Sequence, residues 1–197
     1  MKLNEFTEKL GSTSPTPGGG AASGLTLALA AACAEKAVRF SISDISEKIC
    51  EQLIFLREEG NKLCIDDQNA FSHWQEMKKL PKVTETEKAH RTQQINNAAE
   101  QCAKVPLLTA EYSMKLLYTI DEFLPYCNKF LISDAACGVS LAAASFETSI
   151  FNIIINLPYI KNDIFKSQLE TFITTNPDHF DVIKERILTE CRKLLNA

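Results

Sequence analysis

Glycine and proline decide where a chain can turn, and here they are scarce, seven of each in 197 residues. Proline interrupts regular structure through its missing N–H, glycine through its backbone freedom. Read as punctuation at junctions, they leave long uninterrupted stretches between them. Those stretches carry apolar residues at three- and four-residue steps, as in Ile49, Leu53, Leu56 and Leu63. That spacing is one face of a helix. No run alternates polar and apolar residues over the length of a strand. The one β-rich run, "IFNIII" from Ile150 to Ile155, continues a helical pattern that begins at Val139, although alone it fits either state. The pattern predicts an all-α fold, a single-domain bundle of long helices over residues 1–197.

Six helices are expected. The first covers Lys2 to Leu10 and stops at Gly11. The second opens at Gly18 and reaches about Phe40, and the third covers Asp44 to Lys79, stopped by Pro81. Thr84 and Glu87 have the spacing of a capping box, which opens a fourth helix to about Phe123 with a kink near Pro106. Ser133 and Asp134 are expected to cap a fifth that ends before Pro158. The last, Lys161 to Leu195, is expected to break at Asn176-Pro177. Two of the six are rich in small residues, Ala21 to Ala34 and Ala135 to Ser145. Small side chains let helix axes approach closely, so these two are expected to pack on each other. A bundle of this kind often completes its core by homodimerising.

Charge narrows the choice of partner. The formal net charge is −4 and no basic stripe interleaves with aromatics, which argues against a nucleic-acid surface. "MKLNEFTEKL" lacks the basic and apolar regions of a signal peptide. The apolar run Ala21 to Ala34 reads as too short and too rich in small residues to span a bilayer. A cytoplasmic protein without membrane contact is expected. The seven cysteines include no C-x-x-C pair and the three histidines are scattered, so no metal site is expected.

Four stretches carry candidate chemistry. In "STSPTPGGGAA", Gly18, Gly19 and Gly20 stand where a helix begins, and the free N–H groups of a helix start favour anions. Taken alone, a flexible turn or close helix packing outweighs a ligand cradle there. Asp66 and Asp67 lie in a segment with Leu63, Ile65 and Phe71, about 100° apart round a helix, so at least one borders the buried face. A solvated edge is the commoner reading of such a pair. Asn128, Ser133 and Asp134 lead into an apolar helix, where capping and chemistry are compatible. Asn152 and Asn156 share a helical face inside an oily run, and buried amides need partners, from a neighbouring helix or from a ligand.

The order "PTPGGGAA", "DDQNAF", "KLPKVTETEK", "VP", N-x-x-x-x-SDA and "NIIINLPYIK" resembles the cyclodeaminase/cyclohydrolase family, from about Leu3 to Lys161. The resemblance implies an all-helical, dimeric protein of folate one-carbon chemistry without metal or redox cofactor. It implies hydrolysis of 5,10-methenyltetrahydrofolate to 10-formyltetrahydrofolate. The alternatives are an ammonia-releasing formimidoyltetrahydrofolate cyclodeaminase and a non-catalytic folate-binding or scaffold homologue. It further implies catalytic carboxylates, first Asp134 and then Asp67 or Asp66, beside the cationic bridge of the substrate. Gly18, Gly19, Gly20, Asn128, Ser133 and Asn156 would bind substrate. Two positions depart from the family pattern. Arg39 and Phe130 stand where family members often carry an asparagine; Arg39 would bind the folate glutamate or pair with an acid of the protein, and Phe130 would stack on the pterin or close the pocket.

Overall fold

The computed structural model describes residues 2–196, and every regular element among them is helical. The α-helices are α1 (Leu3–Leu10), α2 (Gly19–Arg39), α3 (Ser46–Met77), α4 (Glu85–Phe123), α5 (Ile132–Asn156) and α6 (Asp163–Leu195). Single 3₁₀ turns lie at Leu124–Tyr126, Lys129–Leu131 and Leu157–Tyr159. The six expected helices are therefore present. The capping box is too: the Thr84 hydroxyl accepts from the Glu87 N–H at 3.2 Å, and Glu87 Oε2 accepts from the Thr84 N–H at 2.8 Å.

Three local expectations are corrected. Pro177 does not break the last helix, because α6 is continuous across it, and Asn176 donates back to the Phe172 carbonyl at 3.0 Å instead of capping. Leu169 before the proline and Phe180, Ile183 and Ile187 after it are all buried. Keeping them on one face outweighs the roughly 3 kcal/mol that an internal proline costs. Ser133 and Asp134 do not cap α5 either. The helix starts at the buried Ile132, with Leu131 as its N-cap, which places both polar residues in the first turn. Finally, Gly24, Gly60 and Gly138 lie inside helices and not at junctions.

Those internal glycines explain how the bundle closes. A Cβ on Gly24 would stand 2.6 Å from the Cys64 backbone nitrogen, and one on Gly60 would stand 2.6 Å from that of Ala28. A Cβ on Gly138 would come within 3.1 Å of the Ala30 carbonyl. Helix α2 thus lies backbone to backbone on α3 and nearly so on α5. The small-residue pairing of α2 with α5 agrees with the sequence reading, which missed the tighter seam with α3. Helix α4 spans α3 and α5, and α6 lies along α5. Phe180 of α6 stacks on Phe146 of α5 with ring centroids 4.1 Å apart.

A polar seam runs through this core. Ser23 Oγ donates to Thr148 Oγ1 at 2.8 Å, Ser145 Oγ to the Ser23 carbonyl at 2.9 Å, and Ser113 Oγ to Ser145 Oγ at 3.1 Å. It joins α2, α5 and α4. The alanine run expected to be too short for a bilayer belongs to a 21-residue helix that is long and apolar enough to cross one by length and composition. The segment Lys129–Tyr159 passes the same test. In the bundle, the apolar faces of α2 are taken up by α3, α4 and α5.

Candidate functional site

A cavity of about 330 Å³ opens at the start of α2. Its size falls within the range of small-molecule sites. The incoming chain supplies Pro15, Thr16 and Gly18, and the first turn of α2 supplies Gly19 and Gly20. Helix α3 contributes Asp67, Phe71 and Trp74, spaced so that all three share a face. Asn152, Ile155 and Asn156 come from the last turns of α5, Tyr159 from the 3₁₀ turn that follows, and Cys102 from α4.

Asp67 and Gly20 are made for each other. The Asp67 carboxylate occupies the space a Cβ on residue 20 would fill, so Oδ1 would overlap any side chain there. The position accepts only glycine without displacing the acid. Burial pushes the Asp67 carboxyl above its ordinary range, and the Ala21 backbone N–H, donating to it, pulls the other way. Burial wins because one hydrogen bond offsets only part of a desolvated charge. A carboxyl raised in this way, at the wall of a cavity, is suited to exchanging protons.

The opposite wall is set by asparagines. Asn152 Nδ2 donates to the Thr148 carbonyl at 2.7 Å, and Asn156 Nδ2 to that of Asn152 at 2.7 Å and of Cys102 at 3.3 Å. Asn156 thereby uses both amino hydrogens and Asn152 one of its two, and each Oδ1 remains an acceptor. Trp74 and Tyr159 form an edge-to-face pair with centroids 5.1 Å apart, and Lys78 Nζ sits 3.1 Å from the Trp74 ring centroid. Cys102 is no nucleophile: burial first, then the Asp67 charge, push its thiol up to about 11.

The residues singled out from sequence divide between two ends of the bundle. Gly18, Gly19, Gly20, Asp67 and Asn156 meet at the cavity. Asp66, next to Asp67 but turned round the helix, does not line it. Helices α2 and α5 run antiparallel, so Gly19 faces Asn152 at one end and Lys36 faces Asp134 at the other. Asp134 lies about 33 Å along α5 from Asn156 at 1.5 Å per residue. There it pairs with Lys36 Nζ at 3.0 Å, with Ser133 exposed beside it. Asn128 holds the chain: its N–H donates to Ser41 Oγ at 2.7 Å and its Nδ2 to the Phe40 carbonyl at 3.0 Å. Phe130 is exposed on the same turn. Arg39 is bound to an acid: its Nη2 meets Glu35 Oε1 at 2.6 Å, and Arg57 Nε meets Glu35 Oε2 at 2.8 Å. Burial works against the Glu35 charge, but hydrogen bonds from Arg57 and Arg39 together hold its carboxyl below the ordinary range.

Sequence reasoning missed Trp74, Tyr159, Asn152's place beside Gly19, and Cys102. The spacing Asp67, Phe71, Trp74 was the available signal for the first. A larger cleft, about 720 Å³, lies between the end of α4 and α6. Most of its charges are tied to one another, Arg186 to Asp121 at 2.8 Å and Lys193 to Glu190 at 3.1 Å, and Glu185 faces solvent beside them.

Fold and cavity together define a class: an all-helical protein whose small-molecule pocket sets a desolvated carboxyl against the glycines of a helix start. The chain belongs to the formiminotransferase-cyclodeaminase family, whose model matches residues 2–175. It is 26% identical over 175 residues to a methenyltetrahydrofolate cyclohydrolase of Methylorubrum extorquens, covering 84% of each chain. It is 29% identical over 178 residues to the formimidoyltransferase-cyclodeaminase of Rattus norvegicus, covering 84% of this chain and 32% of that one, about a third of its length. The formiminotetrahydrofolate cyclodeaminase of Thermotoga maritima superposes with a TM-score of 0.80 at 25% identity, covering 100% of this chain and 96% of the other.

Proposed function

We propose that the chain is an enzyme of folate one-carbon metabolism and that it hydrolyses 5,10-methenyltetrahydrofolate to 10-formyltetrahydrofolate. The observation that carries this is the Asp67 carboxyl held beside Gly20 in an aromatic-walled cavity. The Methylorubrum extorquens relative, matched over 84% of its own length, is a cyclohydrolase, which supports that activity.

The substrate's bridge is a cation flanked by N5 and N10. Asp67, once ionised, stabilises that charge and accepts a proton from the attacking water. The water oxygen bonds to the bridge carbon and its proton leaves to the carboxylate. The bond from that carbon to N5 then breaks as N5 takes up a proton and the new hydroxyl gives up its own, which leaves a formyl C=O on N10. One proton is released overall. The unpaired Oδ1 atoms of Asn152 and Asn156 and the N–H groups of Gly19 and Gly20 offer acceptors and donors to the pterin edge. In this reading Asp67 takes the role the resemblance gave first to Asp134. The reading also takes the chain as a homodimer meeting its substrate in the cytoplasm.

A second reading, cyclodeaminase, is favoured by the Thermotoga maritima structure, which this chain matches along its full length. Decay of methenyltetrahydrofolate absorbance and release of ammonia from formimidoyltetrahydrofolate separate the two. Turnover in the first assay alone supports the hydrolase. Turnover in neither removes the enzymatic reading.

A further inference from the structure

We propose that Cys33 and Cys137 form a redox-active dithiol that closes to a disulfide by exchange with a small-molecule disulfide of the glutathione class. Of the seven cysteines, Cys137 is the exposed one, and Cys33 is half-buried. The packing of α2 on α5 puts them side by side. The two helices run antiparallel, and a Cβ on Gly138 would stand 3.1 Å from the Ala30 carbonyl and 3.4 Å from Ala34 Cβ. Gly138 is thus level with Ala32, between those two, and Cys137, one residue earlier on the opposed helix, is level with Cys33. One turn along, Lys36 Nζ meets Asp134 Oδ1 at 3.0 Å. Cys33 precedes Lys36 by one helical turn and Cys137 follows Asp134 by one, so the thiols lie on the same edge of the helix pair as the ion pair. Glycine and alanine at the contact keep the helix axes at the near end of the usual range, about 8 Å, and facing Cα atoms on that edge come within about 7 Å, the reach of a disulfide. The thiols also feel one another: burial first, then Cys137 and Asp134, push the Cys33 thiol up, while Lys36 pulls it down. No group of three metal-ligating side chains occurs among the described residues, so the pair has no third ligand. An accessible thiol beside a resolving one is the arrangement that thiol–disulfide exchange uses.

In the reaction the Cys137 thiolate attacks one sulfur of the small disulfide, forming a mixed disulfide and releasing one thiolate. Cys33 gives up its proton to solvent, attacks the Cys137 sulfur and releases the second thiolate. The protein loses two hydrogens, and one external disulfide becomes two thiols. The new bond would pin α2 to α5, the helices that carry the glycine lip and the asparagine wall of the cavity. The reduced wild-type chain is incubated natively with oxidised glutathione, quenched with N-ethylmaleimide and digested with trypsin for mass spectrometry. Cleavage isolates Cys33 in residues 10–36 and Cys137 in residues 130–161, each the single cysteine of its peptide. A cross-linked pair of these peptides is expected, with two of the seven thiols lost from a chain that still runs as one chain on a non-reducing gel. Cys33→Ser should instead retain glutathione on Cys137, and Cys137→Ser should react several-fold more slowly, because the thiol that remains is half-buried. Glutathione held on Cys137 of the folded wild type without the cross-link, a bond between two chains, or a cross-link that forms only in urea overturns the inference.

Discussion

Replacing Gly20 with alanine tests the fit of Asp67 directly. A Cβ on residue 20 would overlap Asp67 Oδ1 and lie 3.0 Å from Oδ2. Helix α2 has little room to retreat from α3, because α5 backs it closely where Gly138 meets Ala30 and Ala34. The carboxylate must therefore swing, by more than about 1 Å, to restore an ordinary contact near 3.5 Å. A displacement of that size at a reacting group costs on the order of 10²-fold in rate. Stability responds differently. Alanine in a helix gains about 0.5–1 kcal/mol over glycine, and crowding costs about 1–3 kcal/mol if nothing moves. Since the obstacle is a side chain, the net change in urea unfolding should stay within about 1 kcal/mol. The assay is kcat/KM on methenyltetrahydrofolate for wild type, Gly20→Ala, Asp67→Ala and the double variant. Once the carboxylate is gone, the added methyl has nothing to displace, so the double variant should match Asp67→Ala. A Gly20→Ala enzyme within about threefold of wild type, or losses that multiply in the double variant, would refute the reasoning.

Asp67→Asn keeps the shape and the acceptor for Ala21 and should lower kcat by about 10²–10⁴-fold. Because burial raises the folded-state pKa of Asp67, its contribution to stability is present below the unfolded value near 3.8 and is lost as pH rises through the folded one. Unfolding curves of Asp67→Asn should therefore gain on wild type between acid and neutral pH. Glu35 has the opposite sign: held low by Arg57 and Arg39, it stabilises above about pH 4.5 and loses that as pH falls through its depressed value. Glu35→Gln should flatten the acid limb of the stability profile, and an unchanged limb would show the cluster to be energetically idle. Gly60→Ala meets only backbone, at 2.6 Å from Ala28 N and 2.9 Å from Gly24 O, so it should lose about 1–3 kcal/mol in urea unfolding despite its better helix propensity.

Helix period and caps were legible in the sequence because they are local. Thr84 and Glu87 need only each other, and the expected box is the observed one. Pro177 shows where local rules stop: a proline read as a break is overridden by buried side chains on both sides of it. The site was half legible for a related reason. The glycines and Asp67 are close in space because α2 and α3 touch through Gly24 and Gly60, and glycine reads as a break before it reads as a seam. Asp134 sat in an equally suggestive stretch, but the antiparallel run of α5 against α2 carries it to the other end. Arg39, which departs from the family pattern, is spent on Glu35 and does not reach the cavity. Trp74 escaped notice because an aromatic at helical spacing reads as core, and only the fold places it on the cavity wall.

The seam of hydroxyls through Ser23, Thr148, Ser145 and Ser113 bears on motion. Two alanine-rich helices joined by hydrocarbon alone slide past each other by a fraction of a turn at little cost, since dispersion is non-directional. Hydrogen bonds of 2.8 to 3.1 Å across α2, α5 and α4 are directional and resist that sliding. The single Ser23 O–H is shared between Thr148 Oγ1 and the Gly19 carbonyl at 2.9 Å, so the first turn of α2 touches the same network. The glycine lip and the asparagine wall are thereby geared to one another. A shift of either wall is therefore passed to the other through this network.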